Sequence, residues 1–294
     1  MTGRYVRKVL YAIAGAAAAA VLVLGGYIGY DLWSHEMFKT AHYDETPPEL
    51  PRMQDGIKVL LFSKTNSYRH DSIPDAIAMF RELAKKDGWS LFTTENGAVH
   101  NTAQLSQFDV VVWNNVTGDV LTEPQREALR AYIEGGGRFL GIHGTIGNES
   151  YAWSWMPAQL IRAQFIGHTL VPQTREGTLL IEDEHHPVVE GLPNPWRWIE
   201  EWYSFSENPR DKGVNVLVRV DEDSYKPGGK LPMGKDHPLV WYHDVGKGLV
   251  LMSALGHRRE AYADPHYRML LEHAVIWLAS GAVPAGKAAG GGAP

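Results

Sequence analysis

The chain has 294 residues, 44% of them hydrophobic, enough for one or two domains with a large core. Its 28 basic and 34 acidic residues give a formal charge of −6 without long runs of one sign, so nothing points to nucleic acid. Cysteine is absent, which excludes disulfides, thiolate metal sites and cysteine nucleophiles.

Val9–Tyr30 is 22 residues without a charge, preceded by Arg4, Arg7 and Lys8. That length spans a hydrocarbon core, and the basic flank places residues 1–8 in the cytoplasm and the rest outside. A cleaved signal peptide is the competing reading, since Ala16–Ala20 offers small-residue cleavage sites. The apolar run continues through Val21–Leu24, which favours an uncleaved single-pass anchor in the cytoplasmic membrane. Gly25 and Gly29 form a small-xxx-small pair, a weak pointer to a homo-oligomer.

Residues 31–56 are polar and carry Pro47, Pro48 and Pro51, the composition of a tether. Residues 281–294 are rich in Gly, Ala and Pro and read as a disordered tail. Between them, 57–280 forms one domain. Lys58–Phe62 is a buried-type strand, followed by the loop Ser63–Asp71. A helix then starts with Ser72 as N-cap, Pro74 in the first turn and Asp75 completing a capping box. Its apolar positions Ala76, Met79, Phe80 and Leu83 run to Gly88. Trp89–Thr93 and Asp109–Trp113 are the next strands. Thr122–Gln125 opens a second capped helix with Ala128, Leu129, Tyr132 and Ile133 inward.

Alternating strands and helices predict an α/β fold with a mostly parallel sheet covered on both faces. Ligands in such sheets collect beyond the strands' carboxyl ends, so Ser63–Asp71, Asn114–Asp119 and His143–Asn148 border one crevice. Glu134–Thr145 supplies its centre: three glycines end the helix, a short strand follows, and His143 stands between Ile142 and Gly144. This is the layout of a strand-to-helix elbow, with histidine where a Ser or Cys nucleophile would stand; a plain tight turn reads the same way. Further on, 179–182, 214–220, 239–243 and 248–253 read as strands and 265–278 as the closing helix. Tyr151–Trp155 and Trp196–Phe205 read as aromatic loops on a binding rim.

Thirteen histidines and ten tryptophans suit a polar, aromatic cleft, and flat indole rings stack on sugars as readily as they fill cores. Polar clusters fall at Tyr68–Asp71, His143, Gly167-His168, His185–Pro187, Glu200–Tyr203, Asp236–Pro238 and Gly256–Arg258. Any one of these histidines is more often a hydrogen-bonded loop residue than a functional one. Glu200 and Glu201 together read as a solvated face or, given Ile199, Trp202 and Tyr203 beside them, as one inward carboxylate. A divalent metal held by imidazoles and a carboxylate fits the residue types, with His143, His168, His257 and Glu201 as candidates, although no fixed-spacing motif exists. Acyl transfer lacks its nucleophile. General acid/base work by His143 with an inward glutamate or a second histidine is the simplest chemistry left.

Tyr68–Ile73, Gly118–Leu121, Gly136–His143, Phe165–His168, His186–Pro193, Glu201–Tyr203, His237–Trp241 and Ala254–His257 resemble, in this order, the motifs of ThuA-like (trehalose-utilisation) domains. The resemblance covers about 57–280. It implies a class I glutamine amidotransferase-like, flavodoxin-like three-layer sandwich. His143 would take the place of the amidotransferase cysteine, which argues against glutaminase chemistry. It also implies sugar utilisation, often on 3-keto-glycosides. Two departures stand out: Gly144-Thr145 after the histidine, and Glu200 where Asp usually precedes Glu-Trp-Tyr.

The expectation is therefore a membrane-anchored lyase, isomerase or hydrolase acting on a saccharide or keto-sugar. His143, Glu201 and His70 are its catalytic candidates. Arg69, His168, Trp202, Tyr203, His237 and His257 are its substrate-binding candidates, with Arg69 or His70 steadying an enolate oxygen. A non-catalytic sugar-binding module and a metal-dependent enzyme are the alternatives.

Overall fold

The structure, a computed structural model, describes residues 2–229 and 231–281. All but the first residue of the tail expected at 281–294 lies outside them. The chain opens with helix α1 (Thr2–Ser34), which passes both ends of the expected 9–30 span. From Arg4 to Ser34 its most apolar stretch has a mean hydropathy of 2.1 and is not buried against the rest of the protein. By length and composition it suffices to cross a membrane, and a signal sequence meets the same test.

Residues 39–57 form no helix or strand, as their prolines dictate, but they lie along the domain. Asp44 pairs with Lys64 and accepts the Gly97 N–H at 2.8 Å, and its own carbonyl accepts from Gln125 at 2.6 Å. Leu50 and Met53 pack on the core.

The domain then runs β1 (Lys58–Phe62), α2 (Ile73–Asp87), β2 (Ser90–Thr94), α3 (Thr102–Leu105), β3 (Val110–Asn114), α4 (Glu123–Glu134) and β4 (Arg138–Ile142). It continues through β5 (Phe165–His168), β6 (Arg175–Ile181), β7 (Trp196–Glu200), β8 (Tyr203–Phe205), β9 (Asn215–Asp221), β10 (His237–Val245), β11 (Gly248–Ser253) and α5 (Pro265–Ser280). Nine strands form one sheet in the order β2-β1-β3-β4-β11-β10-β9-β6-β7, and β5 pairs with β8 apart from it. The first five are mutually parallel, and in the antiparallel flank only β10 and β6 run against the rest. The fold is thus mixed α/β around a large, mostly parallel sheet.

Local reasons are plain. The apolar runs of β1 and β3 are buried along nearly their whole length because helices cover them. From β1 the chain moves outward to β2, then returns over β1 to β3 and β4. Right-handed crossovers therefore place α2 on one face and α3 and α4 on the other. The strand order reverses between β1 and β3, which opens a crevice at their carboxyl ends.

Two local expectations are corrected. Ser72 forms no side-chain cap, because it is itself helical in backbone (φ −77°) and its hydroxyl donates to Gly256 O at 3.1 Å, tying α2 to a distant loop. Residues 196–205 are two strands rather than a loop. In β7, Trp196, Trp198 and Glu200 point inward while Arg197 and Ile199 point out, the period-2 pattern of a half-buried strand.

Candidate functional site

The chain leaves β4 at Ile142 and turns at once, with His143 in the left-handed region at φ 41°. Such a conformation in a non-glycine residue carries strain and is held only by its surroundings. Here Asn115, itself at φ 52°, accepts the Gly144 N–H at 3.1 Å. The His143 ring is fully buried, and its Nδ1 lies 2.8 Å from the Ala254 carbonyl oxygen. A carbonyl only accepts, so Nδ1 carries a proton. Nε2 faces Glu201 Oε2 at 3.3 Å.

Two more imidazoles reach the same point. His70 comes from the loop after β1, and its ring lies 4.9 Å from that of His143, edge to face. It fits because residue 144 is glycine: a Cβ there would sit 2.9 Å from His70 Cε1 and 3.1 Å from its Nδ1. His257 follows β11 on a turn at Gly256, whose φ of 119° and closeness to the Tyr262 and Tyr267 hydroxyls leave no room for a side chain. Its Nδ1 is 3.3 Å from Glu201 Oε2. The turn is held by Glu200, which is fully buried and accepts N–H groups from Gly256 (2.8 Å), His257 (3.2 Å), Glu201 (3.0 Å) and the Trp198 indole (3.1 Å). Glu200 thus orients both His257 and Glu201 without facing the cluster.

The result is one ligand atom each from His70, His143, His257 and Glu201, all within 4.8 Å of one another. His70 Nδ1, His143 Nε2 and His257 Nδ1 are buried without a well-aligned hydrogen bond, the last two facing Glu201 Oε2 at 3.3 Å. Buried polar atoms without partners are costly, and this group of four could hold a cation. Ligands of a tetrahedral zinc ion stand about 3.3–3.5 Å apart, given Zn–N bonds of about 2.0–2.1 Å. The cluster, spread over as much as 4.8 Å, is wider than that. Imidazole with carboxylate suits zinc and its first-row neighbours.

Burial pushes the His70 ring well below its ordinary value, with the neighbouring rings of His143 and His257 adding to it. Burial likewise lowers His257 to about 4, against a smaller opposing pull from Glu201. Both are neutral donors near pH 7. Burial alone would raise Glu201, but His143, His257 and His168 outweigh it and hold the carboxyl well below the usual carboxylate range. Burial raises Glu200 despite its N–H donors.

His168 enters by a different route from the metal set. Its Nδ1 is 3.1 Å from Glu201 Oε1 and 2.8 Å from Thr169 O, so that nitrogen is committed as a donor and His70 takes the ligand place expected of His168. With its side chain 26% exposed, it is the most solvent-accessible ring around Glu201. Tyr203 stacks on His143 at 4.3 Å and roofs it. Three other candidates lie away from the cluster. Arg69 forms a two-point ion pair with Glu95 (2.7 and 3.2 Å). Trp202 is core: its indole N–H donates to Arg175 O at 2.9 Å, and its ring packs on Gly177, since neighbours in an extended chain point to opposite sides. His237 is fully buried between Tyr203 O (2.7 Å) and Glu222 (2.9 Å) and props β8. Sequence reasoning did not single out Asn115 or the clamp role of Glu200. The Asn114-Asn115 pair at a strand's carboxyl end was the one visible signal.

A family model described as trehalose utilisation, ThuA, matches residues 58–278. Among solved structures the chain is similar to a ThuA-like protein of Bacteroides uniformis, at 22% identity and a TM-score of 0.64 over 79% of this chain and 95% of that one. A ThuA-like protein of Parabacteroides merdae aligns at 19% identity and a TM-score of 0.58, covering 78% and 91% of the two chains. A cytoplasmic protein of Salmonella typhimurium LT2 shares the fold at 11% identity and a TM-score of 0.52, over 76% and 99%. No curated protein matches.

Proposed function

The chain belongs to the ThuA family, described by trehalose utilisation, and on that footing we propose that it is a membrane-anchored enzyme that acts on a saccharide or keto-sugar through a divalent cation held by His70, His143, His257 and Glu201. The observation that carries this reading is the convergence of three buried imidazole nitrogens and one buried carboxylate within 4.8 Å of one another. A cation held there with a further coordination position left open would polarise a carbonyl or lower the pKa of a water, which serves a lyase, an isomerase or a hydrolase.

The chain's own residues supply the rest. Full burial of the ring supports a ligand's place for His143 over that of a base in contact with the sugar. The Ala254 carbonyl fixes its tautomer, as outer-shell partners of metal-bound histidines do. His168, committed at Nδ1, keeps Nε2 as its basic nitrogen and is the candidate for moving a proton. Tyr203 excludes water from one side. Helix α1, basic before and acidic after its apolar run, would hold the domain on the outer face of the cytoplasmic membrane.

Metal analysis of untagged full-length protein tests the proposal. About one zinc-like ion per chain is expected, lost in His143→Ala and Glu201→Gln. No ion, together with chelator-indifferent turnover of 3-keto-trehalose, would sink it. The short His168–Glu201 contact favours a second reading, metal-free acid/base catalysis by that pair. Chelator-indifferent turnover that is lost in His168→Ala would establish it instead.

A further inference from the structure

The rim of the site is bounded by two apolar features that the chemistry above does not use. One is the turn that ends α1. His35 stacks on Tyr68 at 4.5 Å, accepts the Arg69 N–H on its carbonyl at 2.7 Å and faces Asp71 at 3.6 Å. Tyr68 in turn lies 5.0 Å from the His70 ring. The end of the membrane-length helix is therefore clasped to the loop that delivers a site histidine, with Trp33 and Phe38 about two-thirds exposed beside it. No free stalk separates helix from site.

The other feature is the tip of the loop after β5. Leu170 is 72% and Val171 86% exposed, although His168 just before them and Gln173 just after both contact Glu201. The tip is braced rather than loose. Arg175 donates to Val171 O at 2.9 Å and Pro172 O at 3.2 Å, and Thr169 bonds Gln173 O. Neither side chain packs into the core.

We propose that the Leu170–Val171 tip beds in the headgroup layer of the same bilayer that α1 crosses, so that the site opens at the membrane surface. The inference rests on the anchor reading above, and its occupant is the bilayer interface. Continuity with α1 argues for this: the helix end, Tyr68, His70, Glu201 and the tip form one connected chain of contacts. Substrates would then be met at the lipid surface.

The absence of native cysteine permits single labels in the full chain. Spin labels at Val171→Cys, Val21→Cys and Glu190→Cys would be compared in nanodiscs of phosphatidylglycerol and phosphatidylethanolamine. Power saturation by oxygen and by a water-soluble nickel chelate reads their depth. The Val171 label should favour oxygen, as the Val21 label does, while the Glu190 label stays aqueous. A Val171 label as aqueous as that at Glu190, with Val21 in lipid, overturns the inference alone. A Val21 label in water removes the anchor reading and the inference with it.

Discussion

Gly144→Ala separates the cluster's geometry from its chemistry, because it adds one methyl group and replaces no proposed ligand. Residue 144 is outside the left-handed region, so alanine meets no backbone penalty there; its cost is steric. The new Cβ would stand 2.9 Å from His70 Cε1, 3.1 Å from His70 Nδ1 and 3.0 Å from Thr117 Cγ2. Carbon atoms pack at about 3.5–4.0 Å, so the His70 ring must retreat by roughly 0.6–1.1 Å. A displacement of that size misplaces one ligand while His143, His257 and Glu201 stay. Outer-shell changes at metal sites cost about 10–100-fold in affinity, and that drop is expected here. Overpacking costs about 1–3 kcal/mol of stability, which leaves the domain folded. Cobalt(II) titration followed by visible absorption gives the affinity, and urea melts check the fold. Unchanged cobalt affinity in a folded Gly144→Ala protein would show that His70 is no ligand and that the four-residue cluster has been misread.

Glu200→Gln turns one acceptor oxygen into an NH2 facing N–H donors, so urea melts should show a loss of about 1–3 kcal/mol, with weakened cobalt binding through the slackened Gly256-His257 turn. Intact cobalt affinity would deny Glu200 its positioning role. His100 predicts a pH dependence. Its Nδ1 bonds Gly97 O at 3.0 Å, its Nε2 accepts the Trp113 indole N–H at 3.0 Å, and burial lowers it to about 4. The unfolded chain takes up this proton near pH 6.5 and the folded one only near 4. Stability is therefore fully present above 6.5 and falls on acidification through that window, by about 2 kcal/mol at pH 5. The difference between wild type and His100→Gln in urea melts from pH 7.5 to 5 should shrink by that amount, and a constant difference would refute it. Trp202→Phe should cost about 1 kcal/mol for the lost bond to Arg175 O and leave cobalt and sugar binding unchanged, contrary to a role on the binding rim.

What the sequence made legible follows from the range of each interaction. β1, β3 and β4 are continuous apolar runs whose burial is local and strong, and crossover rules then fix where their loops gather. That reasoning brings His70 and His143 to one crevice with no structure in hand. Glu201 and His257 are harder, because they join through Glu200, whose four donors come from two stretches, 198–201 and 256–257. A buried carboxylate that binds only backbone and indole N–H groups leaves no periodic trace, so Glu200 and Glu201 looked alike. Their difference lies in what each meets: Glu200 turns to the 256–257 turn, Glu201 to the imidazoles, and the Trp202 indole to Arg175 O. Trp202 and His237, conspicuous in sequence, serve packing, while Gly144, with no side chain at all, decides whether a third imidazole fits. Site composition was readable; which member faces the centre depends on contacts across more than a hundred residues, such as that between His143 and Ala254.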